Sequence, residues 1–173
     1  MGCGGLGMNA ISIARAMSFN NIIAVDIDNG KLEAALEMGA TKVLNSKNDD
    51  AVSKLQKLAE GRLMGVLDTF GGAETGRIAV RALSKAGRYL LVGQAGGDFQ
   101  MPLVWLPQKA MTVRGSNVGN SPQLRKIIDM VRQGKIKQMP IDRRPLSKIN
   151  QAVHDLEKGN VTGRIVFQPD END

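Results

Sequence analysis

Ring-bearing side chains are scarce in this chain: one Trp, one Tyr and four Phe among 173 residues. Single-stranded nucleic acid is gripped by aromatic rings on which bases stack. The most basic stretch, RQGKIKQMPIDRRPLSK, carries Arg132, Lys135, Lys137, Arg143, Arg144 and Lys148 but no aromatic residue. The formal charge of +6 therefore reads as a solvated basic surface, and no nucleic-acid partner is expected. One cysteine, Cys3, excludes an internal disulfide and a Cys-rich zinc cluster within the chain. One histidine, His154, leaves little material for a His-based metal site, so neither a metal ligand set nor a catalytic residue is assigned. No run approaches the ~18 apolar residues of a membrane span, and no charged-then-apolar leader is visible. The expectation is a cytoplasmic protein without a membrane partner.

What is present has an ordinary globular composition, 42% hydrophobic and 23% charged, at about one domain's length. Its apolar periodicity alternates between strand and helix. After the glycine-rich start, Leu6, Ala10, Ile13, Ala14 and Met17 fall on one helical face. IIAVDID reads as a buried strand, DNGKLEAALEMG as a helix capped by Asp28 or Asn29 and closed by Gly39, and TKVLN as a strand. DDAVSKLQKLAEG reads as a helix, GVLDTF as a strand, ETGRIAVRALSKAG as a helix ending at Gly87, and RYLLVG as a strand. MPLVWLPQ reads as irregular, and KAMTVRGSNVG contains a strand. SPQLRKIIDMVRQG reads as a helix with Ser121 as cap and Pro122 in its first turn. LSKINQAVHDLEKG reads as a helix with Ile149, Ala152, Val153 and Leu156 inward, GRIVFQP as a last strand, and DEND as a loose acidic tail. Strands alternating with single helices predict crossover connections: an α/β doubly wound, mostly parallel sheet with helices on both faces.

The start, MGCGGLG, places Gly2, Gly4 and Gly7 in the spacing G-x-G-x-x-G. Glycines there permit a tight turn, let backbone approach a pyrophosphate, and allow close helix packing. The following helix turns free N–H groups and a partial positive charge towards the phosphates. Asp26 closes an apolar run 19 residues after Gly7, where a carboxylate accepts both ribose hydroxyls of an adenosine and repels a 2′-phosphate. Together they predict NAD in preference to NADP. A glycine loop followed by an acid also serves S-adenosylmethionine in methyltransferases, and that reading stays open at this point.

With these segments assembled, the chain resembles the cofactor domain of the medium-chain, zinc-type alcohol dehydrogenases, a Rossmann-like domain. GCGGLG, AVDIDNGKLEAALEMGA, GVLDTFGG, LSKAGRYLLVG, VRGSNVGN and VTGRIVF occur in that family's order, and the resemblance covers nearly the whole chain. It implies that Gly2, Gly4, Gly5, Leu6 and Gly7 cradle the pyrophosphate and that Asp26 binds the adenosine ribose with Lys31 beside it. It also implies that Val92, Ser116 and Val118 offer backbone to the nicotinamide and that Arg164 reaches the pyrophosphate. Each has a plain structural alternative: a solvated Lys31, a core Val92, loop residues at Ser116 and Val118, a surface strand residue at Arg164. Thr69 and Phe70 lie where a strand empties towards the same cleft, and packing alone accounts for them equally well.

In that family a separate N-terminal domain carries the catalytic zinc with its Cys and His ligands, so zinc is expected only there. This chain alone is then expected to hold and orient a dinucleotide without dehydrogenase turnover. The alternative is a non-catalytic binding or oligomerising module. The resemblance also divides the chain into a dinucleotide-binding part, 1–138, and a C-terminal helix and strand, 139–173, which packs on the catalytic domain in full-length relatives. Pairing of two copies through the edge strand near Met111–Gly115 is expected, giving a homo-oligomer. Finally, only Met1 precedes the glycine loop, whereas the strand before such a loop is central in a doubly wound sheet. The expectation is a sheet without its first central strand, belonging to a longer enzyme or closed by rearrangement or a partner's strand.

Overall fold

The computed structural model describes residues 1–47 and 50–169. The DEND stretch and the first residue of the DDAVSKLQ helix lie outside the described residues. In chain order the elements are α1 (Gly5–Ala16), β1 (Ile23–Asp26), α2 (Asn29–Glu37), β2 (Lys42–Asn45), α3 (Ala51–Leu58), β3 (Gly65–Asp68) and α4 (Ala73–Ala82). There follow β4 (Arg88–Leu91), α5 (Trp105–Lys109), β5 (Thr112–Gly115), α6 (Ser121–Arg132), β6 (Ile141–Pro145), α7 (Ile149–Glu157) and β7 (Arg164–Gln168). Among the described residues every ladder is parallel: β1 with β2, β3 with β4 and β4 with β5, and β6 with β7. Parallel neighbours need crossovers, and the intervening helices supply them and cover the sheet. The predicted doubly wound α/β class is the observed one.

The expected interruption of the sheet is equally plain. Strands β1 and β3 do not pair with each other. Met1 and Gly2 span the gap only at its carboxyl end. The Met1 amino group donates to the Leu67 carbonyl at 2.6 Å, Thr69 N–H to Met1 O at 2.9 Å, and Gly2 N–H to Val25 O at 2.8 Å. These two residues thus bond to both neighbouring strands at that end.

Among the described residues, packing falls into three apolar clusters. Cys3, Met8, Ile11, Leu32 and Met38 join α1 and α2 to β1; Val25, Leu55 and Ile78 join β1, α3 and α4; Val66, Leu83, Tyr89 and Met111 lie around β3 to β5. At about 25 cal/mol per Å² of apolar area, such clusters are the main favourable term in the fold.

Several local expectations are corrected. The buried face of α1 is Gly7, Met8, Ile11 and Ser12, while Leu6 and Met17 are about half exposed. The apolar stripe taken for the core side is therefore rotated by roughly one residue from the true one. Helix α4 ends at Ala82, well before Gly87, and Ala86 takes the left-handed turn instead. MPLVWLPQ is not wholly irregular, because α5 forms there, with Lys109 and Arg81 near the Trp105 ring. The cap of α6 is Asn120, whose side chain accepts from Gln123 N–H while Gln123 reciprocates, so Ser121 is the first helical residue. Strand β6 forms within the stretch whose sequence presents only a basic surface. Of the face assigned inward on α7, only Ala152 is buried, and Ile149, Val153 and Leu156 are exposed.

Candidate functional site at the carboxyl edge of the sheet

Parallel register brings the strand ends to one edge: Asp68 is level with Leu91, and Leu91 with Gly115. Met1, hydrogen-bonded to Leu67 and Thr69, starts the glycine loop on that same edge. Gly2 has φ of +84°, a conformation other residues adopt only with strain, and a Cβ there would press on Phe70 and Thr69. Gly7 packs so closely under the loop that a Cβ would collide with the Gly2 carbonyl. Gly4, by contrast, faces open space, with nothing within 4 Å of the place its Cβ would take. Helix α1 starts behind it with no side-chain cap and no acid in its first turn. Its leading N–H groups have no intrahelical acceptors and carry the positive end of the helix dipole.

Asp26 closes over this loop. Its Oδ2 accepts from Cys3 N–H at 2.6 Å, and its Oδ1 from Ile27 and Asp28 N–H at 2.8 and 3.0 Å. A carboxylate offers roughly four lone-pair sites, so three backbone donors leave it able to accept once more. Lys31 follows on α2, where its N–H bonds the Asp28 cap and its Nζ donates to Gly159 O at 2.6 Å. Arg164, at the head of β7, reaches back to the loop: a Cβ on Gly5 would fall 2.6 Å from Arg164 Nε. A strand remote in sequence thus places a guanidinium beside the start of α1.

Val92 and Ser116 lie just past the ends of β4 and β5, with Val92 N–H on Asp68 O and Ser116 N–H on Leu91 O, both at 2.9 Å. Val118 is almost fully exposed and has φ of +48°, an outlier for a β-branched residue. The loop residues, Asp26, Lys31 and Arg164 converge at the start of α1, whereas Val92, Ser116 and Val118 lie further along the same edge.

Two residues carry more than the sequence suggested. Thr69 is not interchangeable with Phe70, because its Oγ1 lies 2.8 Å from Gly2 O and 3.1 Å from Met1 O and pins the loop. Asp68 is completely buried, accepting from Phe70 and Gly71 N–H through Oδ1 and from Tyr89 Oη–H through Oδ2. Burial and the Asp68 bond together raise the Tyr89 phenol well above its ordinary pKa. The signal for Asp68 was in the sequence: AVDID and GVLDTF both end a buried run in Asp. Cys3 is buried at 2% exposure; desolvation, helped by the Asp26 charge, pushes its thiol up to about 11. His154 is exposed on α7.

A zinc ion does not fit what is present. Among the described residues no three His, Cys, Asp or Glu side chains converge on a common point. A dinucleotide does fit the glycine loop: an open approach at Gly4, an uncapped helix start, a carboxylate on one side and a guanidinium on the other. No helix among the described residues is long and apolar enough to cross a membrane.

A parallel sheet wrapped by helices, with a glycine loop at its carboxyl edge, defines a Rossmann-like doubly wound α/β protein. Within that class, the chain belongs to the zinc-binding dehydrogenase family, whose characteristic sequence matches residues 5–133. It is 36% identical over 169 residues to the NAD-dependent alcohol dehydrogenase of Sulfurisphaera tokodaii, covering 96% of this chain and 48% of that protein. The crystal structure of the Aeropyrum pernix alcohol dehydrogenase superposes with a TM-score of 0.90 at 32% identity, over 97% of this chain and 48% of that one. The acetophenone reductase of Geotrichum candidum, solved in complex with NAD, superposes at 0.83 with 27% identity, over 99% of this chain and 48% of that one. The chain spans about half the length of the curated relatives it matches.

Proposed function

We propose that this chain is the NAD-holding part of an alcohol dehydrogenase-like oxidoreductase, and that it binds the dinucleotide at the carboxyl edge of its sheet. The observation that carries this reading is the glycine loop with Asp26 folded onto it, 2.6 Å from Cys3 N–H, beside an open Gly4. In this reading the N–H groups of Gly4, Gly5, Leu6 and Gly7 receive the pyrophosphate, with Gly2 setting the turn. Arg164 adds a charge-assisted contact to the same phosphates. Asp26 accepts from the ribose and disfavours a 2′-phosphate, giving preference for NAD over NADP. Lys31, held by Gly159 O, fixes the ribose side of the cleft, and the backbone at Val92, Ser116 and Val118 borders the nicotinamide side.

Bound there, NAD supplies a hydride acceptor; the chain's own residues orient it and contribute no acid, base or metal ligand to the exchange. In the complete enzyme the substrate would be an alcohol or its carbonyl. Residues 1–138 form the dinucleotide-binding part in this reading, and 139–173 dock on a catalytic domain. The half-exposed Val113 on β5, the outer strand of its sheet, supports a homo-oligomer through Met111–Gly115. The names of the relatives support NAD as the cofactor.

Calorimetric titration of the 173-residue chain tests this. NAD should bind at least tenfold more tightly than NADP, with no NADH formed from simple alcohols. Equal affinities would reject the role of Asp26. No heat and no thermal shift at millimolar NAD would favour the non-catalytic module instead.

A further inference from the structure

Asparagine is followed by glycine once in this chain, at Asn29–Gly30 in the stretch VDIDNGK. Both residues are exposed and open α2, directly after Asp28, which caps it. An asparagine side chain can be attacked by the backbone nitrogen of the residue that follows it. Glycine in that following position has no Cβ to obstruct the approach. The Gly30 N–H is also among the leading helix amides with no intrahelical acceptor, so no helical bond withholds it. Ring closure needs the first turn of α2 to open, and helix ends fray where interior turns do not.

The fold adds a second feature at the same side chain. Asn45, at the end of β2, donates from Nδ2 to Asn29 Oδ1 at 2.7 Å and to the Ile27 carbonyl at 3.2 Å. Its own Oδ1 accepts from Lys47 N–H at 3.1 Å, which fixes the end of the Asn45 amide that donates. A donor on Asn29 Oδ1 draws electron density from Cγ. It also stabilises the negative oxygen that develops there during attack, as an oxyanion hole does.

We propose that Asn29 is a deamidation site, assisted by Asn45, whose conversion to aspartate or isoaspartate weakens the hold on the dinucleotide. Gly30 N attacks Asn29 Cγ as the amide proton passes to hydroxide. The Cγ–Nδ2 bond then breaks, the departing nitrogen takes a proton from water, and ammonia leaves. Water opens the cyclic imide at one carbonyl or the other, giving aspartate or isoaspartate. Water is the only co-reactant consumed. Either product sets a new carboxylate beside Asp26 and Asp28. The isoaspartyl form also adds a methylene to the backbone between Asp28 and Lys31, whose N–H bonds Asp28 Oδ1 at 2.9 Å. The effect on binding rests on the cofactor site proposed above. Negative charge added beside the ribose acceptor opposes the approach of an anionic dinucleotide.

The test ages the 173-residue chain in mildly alkaline buffer and maps its peptides by mass spectrometry, with NAD affinity measured on fresh and aged protein. Asn29 should convert at least tenfold faster than any other asparagine, including Asn45 and Asn120, which precede serine. Gly30→Ala should slow conversion at least tenfold. Alanine fits there, because its Cβ would lie 3.3 Å from its nearest neighbour, Asp28 Oδ1. Asn45→Ala should slow conversion several-fold, the mark of a donor that activates the side chain. Asn29→Asp should keep its thermal stability, since an acid suits the first turn of a helix, and should bind NAD several-fold more weakly. Three results would overturn the proposal: another asparagine converting first, a rate indifferent to Asn45→Ala, or aged protein that binds NAD as tightly as fresh. Fresh protein that binds no NAD would instead reject the cofactor reading, and the mass spectra would still decide whether Asn29 converts.

Discussion

Asp26 and Asp68 end two parallel strands in the same way and do different things. Each turns one oxygen onto two backbone amides of the residues that follow it, Ile27 and Asp28 in one case, Phe70 and Gly71 in the other. Each gives its second oxygen to a neighbouring segment, Cys3 N–H for Asp26 and the Tyr89 hydroxyl for Asp68. The difference is water. Asp68 is wholly buried, so its three donors all come from the protein, no solute reaches it, and it is a bracket between β3, its loop and β4. Asp26 takes three donors too, but it is half-buried, so its remaining acceptor site can be reached beside a loop whose Gly4 side is open. A strand-end carboxylate is thus structural or ligand-facing according to what covers it, and the residue type alone does not decide.

The sharpest way to break this comparison is Asp68→Ala. It strands two amides and a phenol in the interior, so unfolding free energy in urea should fall by about 3–5 kcal/mol. A loss below ~1 kcal/mol would show that Asp68 is no bracket. Next in size is a high-pH effect set by Cys3. Its thiol titrates near 11 in the fold against 9.0 as the ordinary value, so the unfolded chain ionises first. The stability conferred by the neutral buried thiol is complete below pH 9 and is lost as pH rises towards 11. The loss is on the order of 2–3 kcal/mol. Cys3→Ser should flatten that limb in pH-dependent denaturation, and Asp26→Asn should make it shallower, since the Asp26 charge is part of the cause.

Smaller still is Asp26→Asn itself. It should cost about 1 kcal/mol in stability, yet shift the NAD-to-NADP preference by at least tenfold, about 1.4 kcal/mol. A change that lowered stability as Asp68→Ala does, with no shift in preference, would make the two carboxylates equivalent. Arg164→Ala should be the mildest, with stability within ±0.5 kcal/mol because the residue is exposed, and a several-fold weaker affinity for NAD.

The strand–helix alternation was legible because buried parallel strands are short apolar runs, and β1 to β5 all fall inside the runs read as strands. The loop Gly2–Gly7 and Asp26 were legible because their spacing is local. Faces of helices were not. On α1 the apolar residues exceed one stripe, and whether Leu6 or Met8 is buried depends on β1 and α2, which periodicity cannot see. On α7 the apolar face was read correctly as apolar and wrongly as inward, since nothing among the described residues covers Val153 or Leu156. Strand β6 was hidden because IDRRP carries three charged residues and forms an exposed two-stranded ladder with β7, where alternation fails as a signal. Contacts across long separations, Thr69 on Gly2 and Arg164 on Gly5, left no local trace.

The central claim is that the glycine loop and Asp26 hold the adenosine diphosphate half of NAD. Backbone amide NMR during NAD titration tests it most directly. The account predicts the largest shift changes at Gly4, Gly5, Leu6, Ile27 and Asp28, with the amides around Asp68 moving little. Saturation at millimolar NAD with those five resonances unmoved would contradict it.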